Sequence, residues 1–355
     1  MLNIDAMLLT MVANGGSDLH LMAGQPARVR RHGKLAPIDS NVLKNDILLE
    51  ALTKMMTPKA KRDLEETEGA DFAHAIEDKG RFRVNILRHL GGIGAVMRAI
   101  PARAMSLSEL NLPPVIGNMC KAKQGLILVT GKTGSGKSTT LAAMVDEINR
   151  TRKGHILTIE DPIEFTHERQ QSLISQRQVG VHTPSFAEAL HSAMREDPDV
   201  ILVGEMRDLE TISIAVTAAE TGILVMGTLH TNGAAPTVDR IINTFPADKQ
   251  PHIRSMISTS LRGVVSQQLI PKAAQDGRVA ALEILVNNAA VGNLVRQGKL
   301  DALENTMQSG ALVGMQTMDS AIRKLLEGRM ITGEDAYEKA FNKQNFANFA
   351  PNKTA

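Results

Sequence analysis

Residues 131–138 read Gly-Lys-Thr-Gly-Ser-Gly-Lys-Ser, a spacing that suits the capture of a polyphosphate. Glycines let backbone N–H groups curl around phosphate oxygens, and a helix opening just after the loop adds positive potential. In such a loop the lysine, here Lys137, reaches the β- and γ-phosphates, and the hydroxyl of Ser138 coordinates Mg²⁺. The loop lies between an apolar run that reads as a strand and a segment that reads as a helix, which is the context the pattern requires.

Three further groups of side chains bear on the same chemistry. In Asp197–Glu205 the apolar residues Val200–Val203 precede Gly204 and Glu205, which fits a buried strand delivering a carboxylate to the carboxyl edge of a sheet. Glu205 there holds a Mg²⁺ shell or polarises water, although Gly204 stands where many phosphate-loop enzymes carry aspartate. Glu160, Asp161 and Glu164 crowd three carboxylates into five residues, a repulsion that bound Mg²⁺ or solvent must relieve. Glu164 is the candidate general base; the alternative is an acidic surface loop. His230, in Gly227–Thr231, is either a hydrogen-bonded structural residue or a γ-phosphate sensor. Arg81–Ile100 reads as a β-hairpin turning at Leu90-Gly91-Gly92, a register that sets Arg83 opposite Arg98. Like charges directly opposite are unfavourable, so a nearby anion would explain them, and a neighbouring subunit's ATP is such an anion. The alternative is a solvated edge face.

Elements that position these residues follow from periodicity. Ile4, Met7, Leu8, Met11 and Val12 recur at helical spacing and predict an opening amphipathic helix closed by Gly15-Gly16. A strand at Ala27–Arg31 and a helix at Asn45–Met56 follow. The proline-bearing stretch from Pro101 to Pro114 reads as a connection between domains. Beyond it, Gly125–Thr130, His155–Ile159, Val200–Val203 and Ile223–Met226 alternate with helical segments, which predicts a parallel sheet covered by helices. Ser185 and Glu188 form a capping box before Phe186–Arg195, and Gly222 stops a helix over Thr211–Thr221. The expected division is 1–100, a linker at 101–115, a phosphate-binding domain at 116–289, a helical segment at 290–344 and a disordered tail at 345–355.

A chain of 355 residues with 43% hydrophobic and 22% charged residues is of ordinary globular type and long enough for two cores. Its net charge of +2, absence of tryptophan and single tyrosine leave few phosphate contacts or stacking platforms, which argues against nucleic acid as the main partner. One cysteine, Cys120, excludes an intrachain disulfide and a thiolate zinc cage, and is expected as a small buried hydrophobe. The first residues lack the basic region of a signal peptide, and no apolar run nears the roughly 20 residues of a membrane span, so the expected location is cytoplasmic.

In one order these elements resemble the bacterial secretion and type IV pilus ATPases, and within them the pilus-retraction branch. The resemblance covers nearly the whole chain. It is carried by Ser17-Asp18-Leu19-His20-Leu21, Phe82-Arg83-Val84-Asn85, the phosphate loop with Ser138-Thr139-Thr140-Leu141, Thr158–Glu164, Val203-Gly204-Glu205-Met206-Arg207-Asp208, Gly227–Thr231 and Gly314–Asp319. It implies an α/β chain, with an N-terminal PAS-like α+β domain and a C-terminal RecA-like ATPase domain ending in a helical segment. It further implies a homohexamer acting on an inner-membrane pilus platform protein, with ATP and Mg²⁺ as cofactors. On it, Thr133, Gly134, Ser135, Gly136, Lys137, Ser138 and Thr139 hold nucleotide, and Ser138 and Glu205 hold the metal. Glu164 matches the family's catalytic glutamate, and Arg83 and Arg98 match its hairpin arginines; His230 completes the candidates. Two departures stand out: Ile223 follows Glu220-Thr221-Gly222 where the retraction branch has histidine, and Gly292 and Gln297 replace charged residues. An accessory paralogue of low activity and a nucleic-acid translocase on the same core are the alternatives.

Overall fold

The computed structural model describes residues 2–31, 34–77, 79–100 and 103–350. The first two residues of the expected linker, Pro101 and Ala102, and the last five residues of the expected tail lie outside them. The chain forms two compact units, one of Met1–Arg103 with Pro162–Thr166, the other of Ala104–Asp161 with His167–Ala355.

The first unit opens with helix α1 (Ile4–Ala13), capped by Asn3, whose side chain accepts from the Ala6 N–H at 3.0 Å. Strands β1 (Asp18–Met22), β2 (Pro26–Arg31) and β3 (Lys34–Val42) follow, then α2 (Asn45–Met55) and α3 (Pro58–Thr67). Thr57 caps α3 and Pro58 occupies its first position, where a missing N–H costs nothing. Strands β4 (Gly69–Ile76), β5 (Gly80–His89) and β6 (Gly92–Ile100) complete an antiparallel sheet in the order β3-β2-β1-β6-β5-β4. Leu8, Leu48, Leu52 and Leu64 of the helices and Leu19, Phe82, Val84, Ile86 and Met97 of the strands form its core. Alternation along β5 and β6 leaves Arg83 and Arg98 on the opposite, solvated face.

The second unit runs α4 (Pro114–Cys120), β7 (Gly125–Thr130), α5 (Lys137–Thr151), β8 (His155–Glu160), β9 (Leu173–Gln178), α6 (Phe186–Ala193), β10 (Val200–Val203), α7 (Leu209–Glu220) and β11 (Leu224–Leu229). It continues with α8 (Ala234–Thr244), α9 (Gln250–Ser260), β12 (Leu261–Pro271), β13 (Arg278–Val286), α10 (Ala289–Gln297), α11 (Leu303–Ser309), α12 (Met318–Glu327) and α13 (Gly333–Lys339). The sheet order is β13-β12-β7-β11-β10-β8-β9. Its pairings are parallel except for β12 with β13. The mixed α/β class holds, and the sheet is wider than its apolar runs predict.

Local chemistry explains the shifted boundaries. Helix α7 starts before Thr211 because Asp208 accepts from the Thr211 N–H at 2.8 Å and caps it there. Ser185 accepts from the Glu188 N–H at 3.1 Å. The tail expected to be disordered from residue 345 is instead anchored as far as residue 350. Phe346 is 1% exposed in a small core with Met318, Ile322, Ile331 and Ala336, and the Asn345 amide donates to Asp319 at 3.0 Å. Among the described residues no helix is long and apolar enough to cross a membrane.

Cys120 is buried, and burial pushes its thiol up to about 12. Ile223 packs half-buried against the main core just before β11. Six residues of extended chain, about 20 Å, separate it from His230 beyond the far end of that strand. The missing histidine therefore lies at the sheet's opposite edge.

Gly292 has a packing reason. A Cβ there would stand 2.8 Å from the Ser258 carbonyl oxygen of α9, so α10 lies close on backbone that cannot step aside. Helix propensity alone predicts that Gly292→Ala stabilises by about 1 kcal/mol, whereas overpacking predicts a loss of about 1–3 kcal/mol. We expect a lower urea midpoint for Gly292→Ala; a higher one would show that the contact is slack.

His167 gives a pH signature, because burial lowers its imidazole from 6.5 to about 4, against a smaller upward pull from Asp146. The unfolded chain therefore takes up that proton first as pH falls. The histidine's contribution is complete above 6.5 and is lost between 6.5 and 4, amounting to about 2 kcal/mol by about pH 5. Urea titrations of the second unit's unfolding should show that loss, and His167→Gln should flatten it.

Candidate functional site

Parallel pairing sets the geometry of the second unit's carboxyl edge. Thr130 of β7 pairs with Leu229 of β11, and Val203 of β10 pairs with both Gly227 of β11 and Ile159 of β8. The phosphate loop, His230, Glu205 and Glu160 thus leave the same edge from adjacent strands. With strands about 4.8 Å apart, β10 lies roughly 10 Å from β7.

The loop itself is braced from β12. Lys137 begins α5, is 9% exposed and donates to the carbonyls of Gly131 at 2.8 Å and Lys132 at 3.2 Å. Ser138 and Thr139 occupy the next two helical positions, where N–H groups are not used within the helix. Gln267 donates to the Ser135 carbonyl at 2.7 Å and accepts from the Thr140 hydroxyl at 2.7 Å. A Cβ at Gly136 would meet that amide nitrogen at 2.7 Å, and one at Gly131 would strike the Gln267 carbonyl. The two glycines therefore meet the sheet on one side and keep N–H groups for a ligand on the other. The Ser135 hydroxyl is buried without a partner, as expected of a group awaiting an acceptor. Thr133 and Gly134 form the exposed crest, and a Cβ at Gly134 would meet nothing within 4 Å. These residues fit a polyphosphate.

Glu205 is brought to His230. Its carboxylate lies 2.9 Å from the His230 Nε2 and also pairs with Arg207; Glu205 is 19% exposed and His230 41%. The loop that carries it is pinned across two strands, with Gly204 N–H donating to the Ile159 carbonyl at 2.7 Å and the Thr228 hydroxyl donating to the Gly204 carbonyl at 2.6 Å. A Cβ at Gly204 would sit 3.1 Å from that Ile159 oxygen and 3.2 Å from the Glu160 Cα, which accounts for glycine where aspartate is common.

The acidic triplet does not form a cluster. Glu160 accepts from Thr158 at 2.7 Å and Gln176 at 3.2 Å. Asp161 is exposed, and Glu164 lies on Pro162–Thr166, which packs with the first unit, between the buried Ile163 and Phe165. Among the described residues no three of His, Cys, Asp or Glu gather to hold a metal ion alone. A Mg²⁺ would instead take Ser138 and Glu205 with phosphate and water oxygens, the usual share for a protein.

Arg83 faces Arg98 across β5 and β6 in the register that the hairpin predicts. The anion expected to explain them is supplied locally, since Arg98 pairs with Asp18 at 2.8 Å and Arg83 lies 3.4 Å from Asp71. Burial would raise the Asp18 carboxyl, but hydrogen bonds from Ser17 and Arg98 and the charges of Arg98 and His20 hold it below the usual range. The two arginine side chains remain accessible at 46% and 71%. Arg30 pairs opposite Asp18 on the same row, an arginine that sequence patterning alone had not singled out. Gln267 was missed because its partners lie some 130 positions away.

Gln267→Leu keeps the bulk but removes both amide bonds. At about 1 kcal/mol each, we expect the KM for ATP to rise roughly thirtyfold with a smaller change in kcat, read from steady-state phosphate release.

Comparison with known proteins agrees with this geometry. The model of the family described as type II/IV secretion system protein matches residues 2–344. The type IV pilus retraction ATPase PilT of Pseudomonas aeruginosa is 47% identical over 345 residues, covering 97% of this chain and all of that protein. A twitching motility protein of Neisseria gonorrhoeae is 47% identical over 319 residues, 90% of this chain and 85% of its own. The crystal structure of the pilus retraction motor PilT with bound ADP superposes with a TM-score of 0.91 at 43% identity, covering 98% of this chain and 100% of the other. With its phosphate loop and sheet edge intact, the chain belongs to the type II/IV secretion system protein family and is an ATPase.

Proposed function

We propose that the chain is a cytoplasmic, homohexameric, Mg²⁺-dependent motor that retracts type IV pili through an inner-membrane platform protein. The observation that carries the reading is the row Arg30–Asp18–Arg98–Arg83 across one solvated sheet face. It holds basic groups oriented by a low-lying carboxylate and still open to an outside anion. The match to PilT over both units supports the retraction branch.

Each side chain then has a task. The N–H groups of Thr133–Thr139 and the ammonium of Lys137 bind the β- and γ-phosphates. Ser138 and Glu205 are the metal's protein ligands; the bound Mg²⁺ would neutralise charge developing between those phosphates. His230 orients Glu205 through their 2.9 Å contact and lies at the edge where a γ-phosphate is sensed. Glu164 polarises the attacking water. Arg83 and Arg98 approach a neighbouring subunit's nucleotide, where an arginine supplied in trans contributes roughly 10³–10⁵ in rate.

Phosphate release measured across protein concentrations tests this reading. Turnover per subunit should climb as rings assemble and ignore added DNA. Lys137→Ala should abolish it, and Arg83→Ala should lower kcat by roughly 10³. Turnover that is independent of concentration would sink the shared site. Nucleotide binding without turnover at any concentration would make the chain an accessory subunit, and stimulation by DNA would make it a translocase.

A further inference from the structure

The carboxylate of Glu283 is committed to nothing in the phosphate chemistry. It lies on β13, 5% exposed, paired opposite Ser266 of β12. One oxygen accepts from the Ala234 N–H at 2.7 Å and the other from the Met318 N–H at 3.1 Å. Those are the first residues of α8 and α12, so one acid holds two helix N-termini from a third element. Helix α8 needs it more, because its own cap is Gly233, which has no side chain, and the Gly233 N–H goes to the Ser266 hydroxyl at 2.8 Å. A buried carboxylate is costly unless both oxygens are satisfied. Two helix N-termini satisfy them and add favourable dipoles. Burial still raises the Glu283 carboxyl, the two N–H bonds pull it back, and Glu304 and Asp319 add to the rise.

The two helices lead to different parts of the unit. Helix α8 begins just after His230, and its Thr237 hydroxyl lies 2.7 Å from the Thr231 hydroxyl and 3.4 Å from that of Thr130, the residue before the phosphate loop. Helix α12 opens the small C-terminal core of Met318, Ala321, Ile322, Ile331, Ala336 and Phe346. Its Asp319 accepts from the N–H groups of Phe341 at 2.7 Å and Asn342 at 3.0 Å. Gln316, two residues before α12, exchanges backbone bonds with Ile284, the neighbour of Glu283.

We propose that Glu283 is a positioning residue for ATP hydrolysis, a clasp that ties the start of α8, and with it the His230 loop, to the first turn of the C-terminal helices. A shift of the His230 loop then carries α12 with it, and loosening α12 misplaces His230 against Glu205. The proposal rests on the reading of His230 and Glu205 given above.

Glu283→Gln in the full chain is the direct test. Glutamine keeps the size but offers one carbonyl oxygen, so its NH₂ faces one of the two helix N–H donors. We expect kcat to fall about tenfold with the KM for ATP within about twofold. In hydrogen exchange, Mg-ADP should change protection at the first turns of both α8 and α12 in the wild type, and at α8 alone in the variant. A wild-type kcat in Glu283→Gln, or a surviving α12 response, overturns the clasp. If the variant does not fold, the wild-type exchange decides: a nucleotide response at α8 with none at α12, or none at either, also overturns it. His230→Gln separates the two readings. A wild-type kcat there removes the role of His230 in catalysis, while the paired exchange response still reports on Glu283.

Discussion

The second unit depends on the parallel register of β7, β11, β10 and β8. Every residue of β7, β10 and β11 is buried, so the ladder is covered on both faces and its backbone groups have no partner but each other. A parallel register leaves no choice about where the loops emerge. Once Val203 is fixed between Gly227 and Ile159, Glu205 and His230 must share an edge, and that edge belongs also to the phosphate loop. Slipping one strand by a single residue would turn its side chains to the other face and displace the loop it feeds. The chemistry is thus held in place by backbone pairing more than by contacts among the reacting groups.

That dependence explains what was legible in advance. The runs Gly125–Thr130 and Val200–Val203 announce themselves because a strand buried on both faces must be apolar throughout, and their ends coincide with β7 and β10. The hairpin register of Arg83 and Arg98 follows from counting outward from a tight turn, a local operation. Strands β9 and β12 escape such reading because they mix apolar with polar side chains. Ser266 and Gln267 are buried at 1% and 3%, and their hydrogen bonds reach Gly233, Ser135 and Thr140. Nothing within a window of neighbouring residues reports such partners. The assignment of Pro162–Thr166, and with it Glu164, to the first unit is invisible for the same reason.

Electrostatics shows the same division between local and distant information. Sequence spacing sets two arginines opposite each other and calls for an anion from outside the hairpin. Folding answers it with carboxylates from β1 and β4, Asp18 and Asp71, brought in from other strands. Asp18 is nearly enclosed while Arg98 is mostly in water, so the pair is buried at its acidic end and open to solvent at its basic end. An arginine held this way surrenders part of its rotamer freedom on folding and has less left to lose when an anion arrives.

Cys120 has a consequence for how the molecule can be studied. Nucleophilic sulfur chemistry requires thiolate, and a lone thiol buried on α4 with its proton held to about 12 supplies essentially none at neutral pH. The native fold is therefore silent toward maleimides and alkyl halides. A cysteine engineered at an exposed position would carry a fluorophore or spin label as the molecule's sole reporter, with no need to remove the natural one and disturb the packing around it.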